Sequence, residues 1–137
     1  VKGLPTTGGT PALEGFVSEA NAPVIERLEA AGAIILGKTN MHELAFGITS
    51  DNAHFGAVGN AYDATRSAGG SSGGTGAAVA SHLAPGGLGP DPGGSVRIPA
   101  ALHGIAGLRP VSSTQLTLPT TLRVYATALP ATLAPHH

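Results

Sequence analysis

Cysteine and tryptophan are both absent from the chain, and methionine occurs once. Without cysteine there is no disulfide framework and no thiolate chemistry, which fits a reducing cytoplasmic setting. Charge is sparse too. Asp, Glu, Lys and Arg make up 11 % of residues, and the net charge is −1. No basic patch or run exists, so neither a nucleic acid nor an anionic membrane surface is expected as a partner. Long apolar runs are also missing. No segment approaches the roughly 20 residues needed to span a bilayer. Val1-Lys2-Gly3-Leu4-Pro5 does not read as a signal peptide, because no apolar stretch follows the lysine.

At 137 residues and 42 % apolar composition, the chain has a one-domain length and enough apolar surface for a modest core. Glycine, by contrast, is abundant: 21 residues, with 11 prolines beside them. The glycines concentrate between Gly69 and Gly94. Clustered glycine marks backbone that turns sharply or approaches something closely, so this stretch reads as structured loop and not as linker.

Residues 1–20 are turn-rich. Asn21 reads as a helix N-cap, with Pro23 in the first turn. Val24, Ile25, Leu28 and Ala31 recur at helical spacing, and Gly32 suits the position just past the helix end. Ala33-Ile34-Ile35-Leu36 is a short continuous apolar run, the pattern of a buried strand in an α/β layer arrangement. A second short helix is expected from Thr39 or Asn40 through Phe46. Residues 47–68 read as polar loop. Gly74 to Leu83 reads as a helix of small residues, which packs closely on a sheet. Leu88 falls in a further short strand, and Ile98 to Leu102 in a helical turn that tolerates Pro99 near its start. Residues 1–110 thus form one unit. Residues 111–137 change character, with many Thr, Leu, Ala and Pro, no acidic residue and Arg123 as the one charge. Leu116, Leu118, Leu122 and Val124 partly alternate there, so this tail is read as either strand or disordered.

Two segments carry the chemistry. In Gly69-Gly70-Ser71-Ser72-Gly73-Gly74-Thr75-Gly76, paired hydroxyls sit between glycine pairs at a helix N-terminus, where backbone N–H groups favour negative charge. A phosphate loop lacks its essential lysine here. A Gly-x-Ser-x-Gly nucleophile elbow fits nominally, but Arg66-Ser67-Ala68 does not read as the strand that should precede it. A Gly-Ser linker does not explain the helix that follows. In Asp91-Pro92-Gly93-Gly94-Ser95-Val96-Arg97-Ile98-Pro99-Ala100, a serine follows two glycines and precedes a helix start. Such a turn can aim a serine Oγ and nearby N–H groups into one space, as a nucleophile beside an oxyanion hole requires.

Taken together, Gly-Gly-Ser-Ser-Gly-Gly, a small-residue helix, Gly-Gly-Ser-Val-Arg-Ile-Pro-Ala and Gly104-Ile105-Ala106-Gly107-Leu108-Arg109-Pro110 resemble the amidase signature family of serine hydrolases. The upstream segments Gly3-Leu4-Pro5-Thr6-Thr7, Ala22-Pro23-Val24, Ala31-Gly32-Ala33, Gly37-Lys38-Thr39-Asn40 and Asn52-Ala53-His54-Phe55-Gly56 follow in family order. The resemblance covers about residues 1–110. It implies an α/β fold, a mixed sheet with flanking helices, that is incomplete relative to the family domain. It implies hydrolysis of carboxylic amides, and often esters, through an acyl-enzyme, with no cofactor and a small-molecule substrate. By motif position Ser95 is then the nucleophile. Ser71 is the bridging serine, with a cis peptide bond from Gly70, and Ser72 supports it. Gly93 and Gly94, with Ser95, supply the oxyanion N–H groups, while Asp91 and Arg97 brace the loop.

The same resemblance exposes departures. The family lysine lies in a Lys-Asp pair ahead of the segment that matches Val1-Lys2-Gly3, so the chain reads as truncated. Lys2 or the Val1 α-amine is then the substitute base, an amine of pKa near 8 being suited to neutral pH. Lys38 matches a different family lysine and reads as structural. Pro90 stands where the family has Thr or Ser. Pro92 replaces a residue that donates an oxyanion N–H, a loss that costs about 3 kcal/mol of barrier where measured. Ala61 replaces a proline after Asn60. Truncation also leaves apolar surface uncovered, so the alternative is a catalytically inactive fragment that binds a partner or self-associates into homo-oligomers. The histidines His42, His54, His82 and His103 show neither metal-binding spacing nor an acidic partner for serine catalysis, so no metal is expected.

Overall fold

The computed structural model describes residues 1–110 and the backbone of 125–127. Its regular elements are helices α1 (Pro23–Ala30), α2 (Gly73–Ala80) and α3 (Arg97–Leu102), and strands β1 (Gly86–Leu88) and β2 (Tyr125–Thr127). Short 3-10 turns occupy Pro11–Leu13 and Glu43–Ala45. β1 and β2 pair antiparallel, Gly87 opposite Ala126. This pairing returns the chain to the core well beyond residue 110. Among the described residues the sheet is two-stranded, and no helix is long and apolar enough to cross a membrane.

α1 begins with Pro23 in its first turn, where a missing N–H costs nothing. Its N-cap is Ala22 and not Asn21. Asn21 instead accepts from the Lys2 N–H (2.7 Å) and donates to Glu29 (2.9 Å), stitching the N-terminus to the helix. Gly32, at φ +89°, closes α1 as expected. Its N–H bonds Glu29 O, and the Ala33 N–H bonds Leu28 O.

Residues 33–36, expected as a buried strand, are neither a strand nor buried. Ile34 is 84 % exposed and Leu36 70 %. An apolar run becomes a strand only where other strands pair with it, and none does among the described residues. The helix expected from residue 39 is reduced to the 3-10 turn at Glu43–Ala45, because Leu44 and Ala45 adopt left-handed backbone. The possible strand at residues 116–124 lies outside the described residues.

α2 packs on both α3 and β1. Its sequence, Gly-Gly-Thr-Gly-Ala-Ala-Val-Ala, is a poor helix former, since each interior glycine costs about 1 kcal/mol against alanine. Tertiary contact compensates. The Gly73 N–H is accepted by Ser50 Oγ (2.9 Å) and the Gly74 N–H by Asn40 O (3.1 Å). The core around α2 is small: Ala68, Val79, Ala80, Val96 and Ala100 are its buried apolar residues. Polar residues are buried alongside them, among them Ser50, Ser71, Ser72, Thr75, Asp91, Ser95 and His103. Buried polar groups of this density persist only when paired, and their pairing defines the candidate site.

Candidate active site

The two serine loops meet through backbone. The Ser72 N–H donates to Ser95 O (3.1 Å), so the start of α2 and the approach to α3 are held side by side. Ser71, Ser72 and Ser95 are all buried. The Gly70–Ser71 peptide bond is cis. The Ser71 carbonyl is held by the His42 N–H (3.0 Å) and by Ser50 Oγ (3.1 Å). Its hydroxyl is different: Ser71 Oγ is fully buried and meets no hydrogen-bond partner among the described residues. The Ser71 and Ser95 hydroxyls are therefore not bonded to each other here. Such contacts often tighten only when substrate is bound. Ser72 Oγ donates to Pro90 O (3.3 Å), bracing the loop that leads to Ser95.

Gly70 is required by close approach. A Cβ there would lie 2.7 Å from the Ser50 N and 2.8 Å from the Thr49 N. The 48–50 segment therefore presses directly on the backbone entering Ser71. The expectation that the α2 N-terminus offers open N–H groups to an anion is not met at its first positions. Those of Ser72, Gly73 and Gly74 are taken by Ser95, Ser50 and Asn40.

Asp91 organises the Ser95 loop. Its carboxylate is fully buried and accepts from the N–H groups of Gly94, Val96 and Arg97. The Arg97 guanidinium grips both oxygens, through Nε (3.0 Å) and Nη2 (3.1 Å). Arg109 Nε donates to the Asp91 carbonyl (2.9 Å). Burial opposes ionisation of Asp91 more than any single contact favours it. The Arg97 side chain and the Gly94, Arg97 and Val96 N–H groups together outweigh it and hold the pKa at about 2. Asp91 is thus an ionised brace. One consequence corrects the sequence expectation for Gly94. Its N–H donates to Asp91 and is not free for an oxyanion.

Lys2 makes no hydrogen bond to the Ser71 hydroxyl. It is exposed, and its backbone N–H bonds Asn21, while Ser71 Oγ stays unpartnered. Lys38 Nζ donates to Thr6 Oγ1 (2.6 Å). His103 is fully buried, and its ring joins Pro99 O (2.8 Å) to the Ala61 N–H (3.2 Å). The Ala61 N–H can donate only because this position is not proline. His54 pairs with Glu14 (3.1 Å). Among the described residues, no three acidic, histidine or cysteine side chains gather as a metal site.

A family model described as Amidase matches residues 1–124, from the turn-rich start through both serine loops. The chain belongs to the amidase signature family. The indoleacetamide hydrolase of Pseudomonas syringae pv. syringae is 54 % identical over 112 residues, which is 82 % of this chain and 25 % of that one. A glutamyl-tRNA(Gln) amidotransferase polypeptide of Coxiella burnetii (strain Dugway 5J108-111) is 52 % identical over 109 residues, covering 80 % and 23 % of the two chains. A solved amidase structure superposes with a TM-score of 0.78 at 45 % identity, covering 95 % of this chain and 28 % of that one. The chain therefore spans about a quarter of the length of the curated relatives it matches. These neighbours have the α/β amidase-signature fold, and amide hydrolysis is the activity at family level.

Sequence reasoning missed Ser50. It lies in what reads as polar loop, yet it is fully buried, with backbone φ +54°. Nothing local marks it, because its partners, Ser71 and Gly73, lie more than twenty residues away. Asn52 was visible only as part of a family segment. Its side chain ties Gly9 O (2.7 Å) to the His54 and Phe55 N–H groups.

Proposed function

We propose that this protein hydrolyses carboxylic amides, and the matching esters, through an acyl-enzyme on Ser95. The observation that carries this reading is the joining of two buried serine loops by the Ser72–Ser95 backbone bond, with a buried Ser71 hydroxyl left unpartnered beside it. An unpaired buried hydroxyl costs about 1–3 kcal/mol, so it marks a place where another group is to be met. In this reading Ser95 Oγ attacks the substrate carbonyl carbon and gives its proton to Ser71 Oγ. Ser71 in turn gives its own proton to a base that the described residues do not place there. The Gly93 and Ser95 N–H groups hold the oxyanion. When the tetrahedral intermediate collapses, the C–N bond breaks, the amine takes the returned proton and the acyl group stays on Ser95. Water then adds to the acyl carbon by the same relay, and the carboxylic acid leaves.

The described elements are read as part of a mixed sheet with flanking helices, residues 1–110 forming the core and residues 125–127 joining it through β1. The cysteine-free composition supports a cytoplasmic setting. Release of amine from a chromogenic aryl amide, and of alcohol from the matching ester, tests the activity when wild type is measured beside Ser95→Ala. Turnover lost in the variant supports the reading, and turnover kept in it refutes Ser95.

A second reading has its own observation. Phe46 is 90 % exposed, and Ile34, Leu36, Leu44 and Ile48 are exposed with it. Apolar surface of this kind favours self-association. Size that grows with concentration, without turnover, supports a non-catalytic associating protein.

A further inference from the structure

We propose that Ser50 is a positioning residue for the Ser71–Ser95 pair. The inference rests on the hydrolase reading above and adds a residue to it. The Ser50 hydroxyl performs two tasks at one atom: it donates to Ser71 O (3.1 Å) and accepts from the Gly73 N–H (2.9 Å). These two backbone groups flank Ser72, whose own N–H is bonded to Ser95 O. Ser50 thus clamps the segment on both sides of the link between the loops. It bears on the entry to Ser71 as well, since the Ser50 N lies against the Gly70 backbone. Only a group that can both donate and accept bridges a carbonyl and an N–H in this way, and a hydroxyl is the smallest that does. Ser50 is fully buried, so its hydroxyl makes both bonds away from bulk solvent. Its backbone sits in the left-handed region at φ +54°, where a non-glycine residue is uncommon. The Val58 N–H holds its carbonyl (3.0 Å) and anchors that conformation. The consequence falls on Ser71. With its carbonyl held by one donor instead of two, its unpartnered hydroxyl loses its fixed bearing on Ser95.

The test uses Ser50→Ala and Ser50→Gly. Glycine adopts φ +54° freely, so Ser50→Gly removes the hydroxyl without backbone cost and carries the test if the alanine variant fails to fold. The first readout is amide hydrogen exchange. Protection of the Gly73 N–H is expected to fall by about tenfold or more, in keeping with the loss of one buried hydrogen bond. The Ser81 N–H, bonded to Ala77 O at the far end of α2, reports that the helix is intact and keeps its protection. The second readout is turnover. In both variants kcat is expected to fall by about tenfold to a hundredfold, with KM within about twofold, because misplacement of a reacting group by an ångström costs that much. Unchanged Gly73 protection overturns the proposal. So does unchanged kcat when Gly73 is loosened, and so does a rise in KM alone. If wild type shows no Ser95-dependent turnover, the hydrolase reading fails by itself, and Gly73 exchange still decides whether Ser50 holds the Ser71 segment.

Discussion

Replacing Asp91 by alanine should be the most destabilising single change in the Ser95 loop, and clearly worse than replacing its partner Arg97. Asp91 is fully buried, whereas the Arg97 side chain is 51 % exposed. Removing the carboxylate leaves the buried Gly94 and Val96 N–H groups without an acceptor. Each such orphan costs about 1–3 kcal/mol. The freed guanidinium can turn to water and adds little. The expected loss is about 3–4 kcal/mol, a large share of the roughly 5–15 kcal/mol that holds a domain of ordinary stability. Arg97→Ala leaves the carboxylate still bonded to the Gly94, Val96 and Arg97 N–H groups. Half-exposed ion pairs contribute modestly, so a clearly smaller loss is expected there. Urea unfolding of the three proteins under one set of conditions reads the difference through the transition midpoint. A loss below about 1 kcal/mol for Asp91→Ala, or an Arg97→Ala loss of equal size, would refute the view that Asp91 is the brace of this loop.

The same carboxylate sets a pH dependence. The Asp91 pKa is held at about 2 against an ordinary 3.8, so the unfolded chain binds this proton first as the pH falls. The stabilisation is then complete above about pH 4 and is lost between about pH 4 and pH 2, amounting to roughly 1–2 kcal/mol after allowance for solvent screening. Urea midpoints across this range should fall more steeply for wild type than for Asp91→Asn. Asp63, whose pKa is also lowered, by its bonds from Thr65 and Arg66, is present in both proteins and cancels. Separately, Lys2→Ala should leave turnover within about twofold, because Lys2 is exposed and does not meet Ser71. A loss of tenfold or more would restore Lys2 as the base.

Elements whose causes are local were legible in the sequence. The Gly32 helix end, the small-residue helix α2, the Leu88 strand and the α3 turn all carry their signals within a few residues. The pairing of Asp91 and Arg97 with the Ser95 loop was legible because the partners lie six residues apart or fewer. What was lost depends on distant chain. Residues 33–36 have a strand's composition but no strand beside them among the described residues. The N–H groups at the start of α2 looked open because their acceptors, Asn40 and Ser50, come from a segment read only as turn and loop. Gly94 looked like an oxyanion donor, since a motif fixes residue order and not the direction of an N–H. Ser50 carried no signal at all: a loop serine and a buried bridging serine are the same letter.

The most direct test of the central claim is to trap the acyl-enzyme. The protein would be incubated with a slowly deacylating aryl ester, and its intact mass and peptide masses measured. The account predicts one added acyl group, on the peptide containing Ser95, absent from Ser95→Ala and formed more slowly in Ser71→Ala. Acylation that persists in Ser95→Ala, or an adduct mapped to a serine outside these two loops, would contradict it.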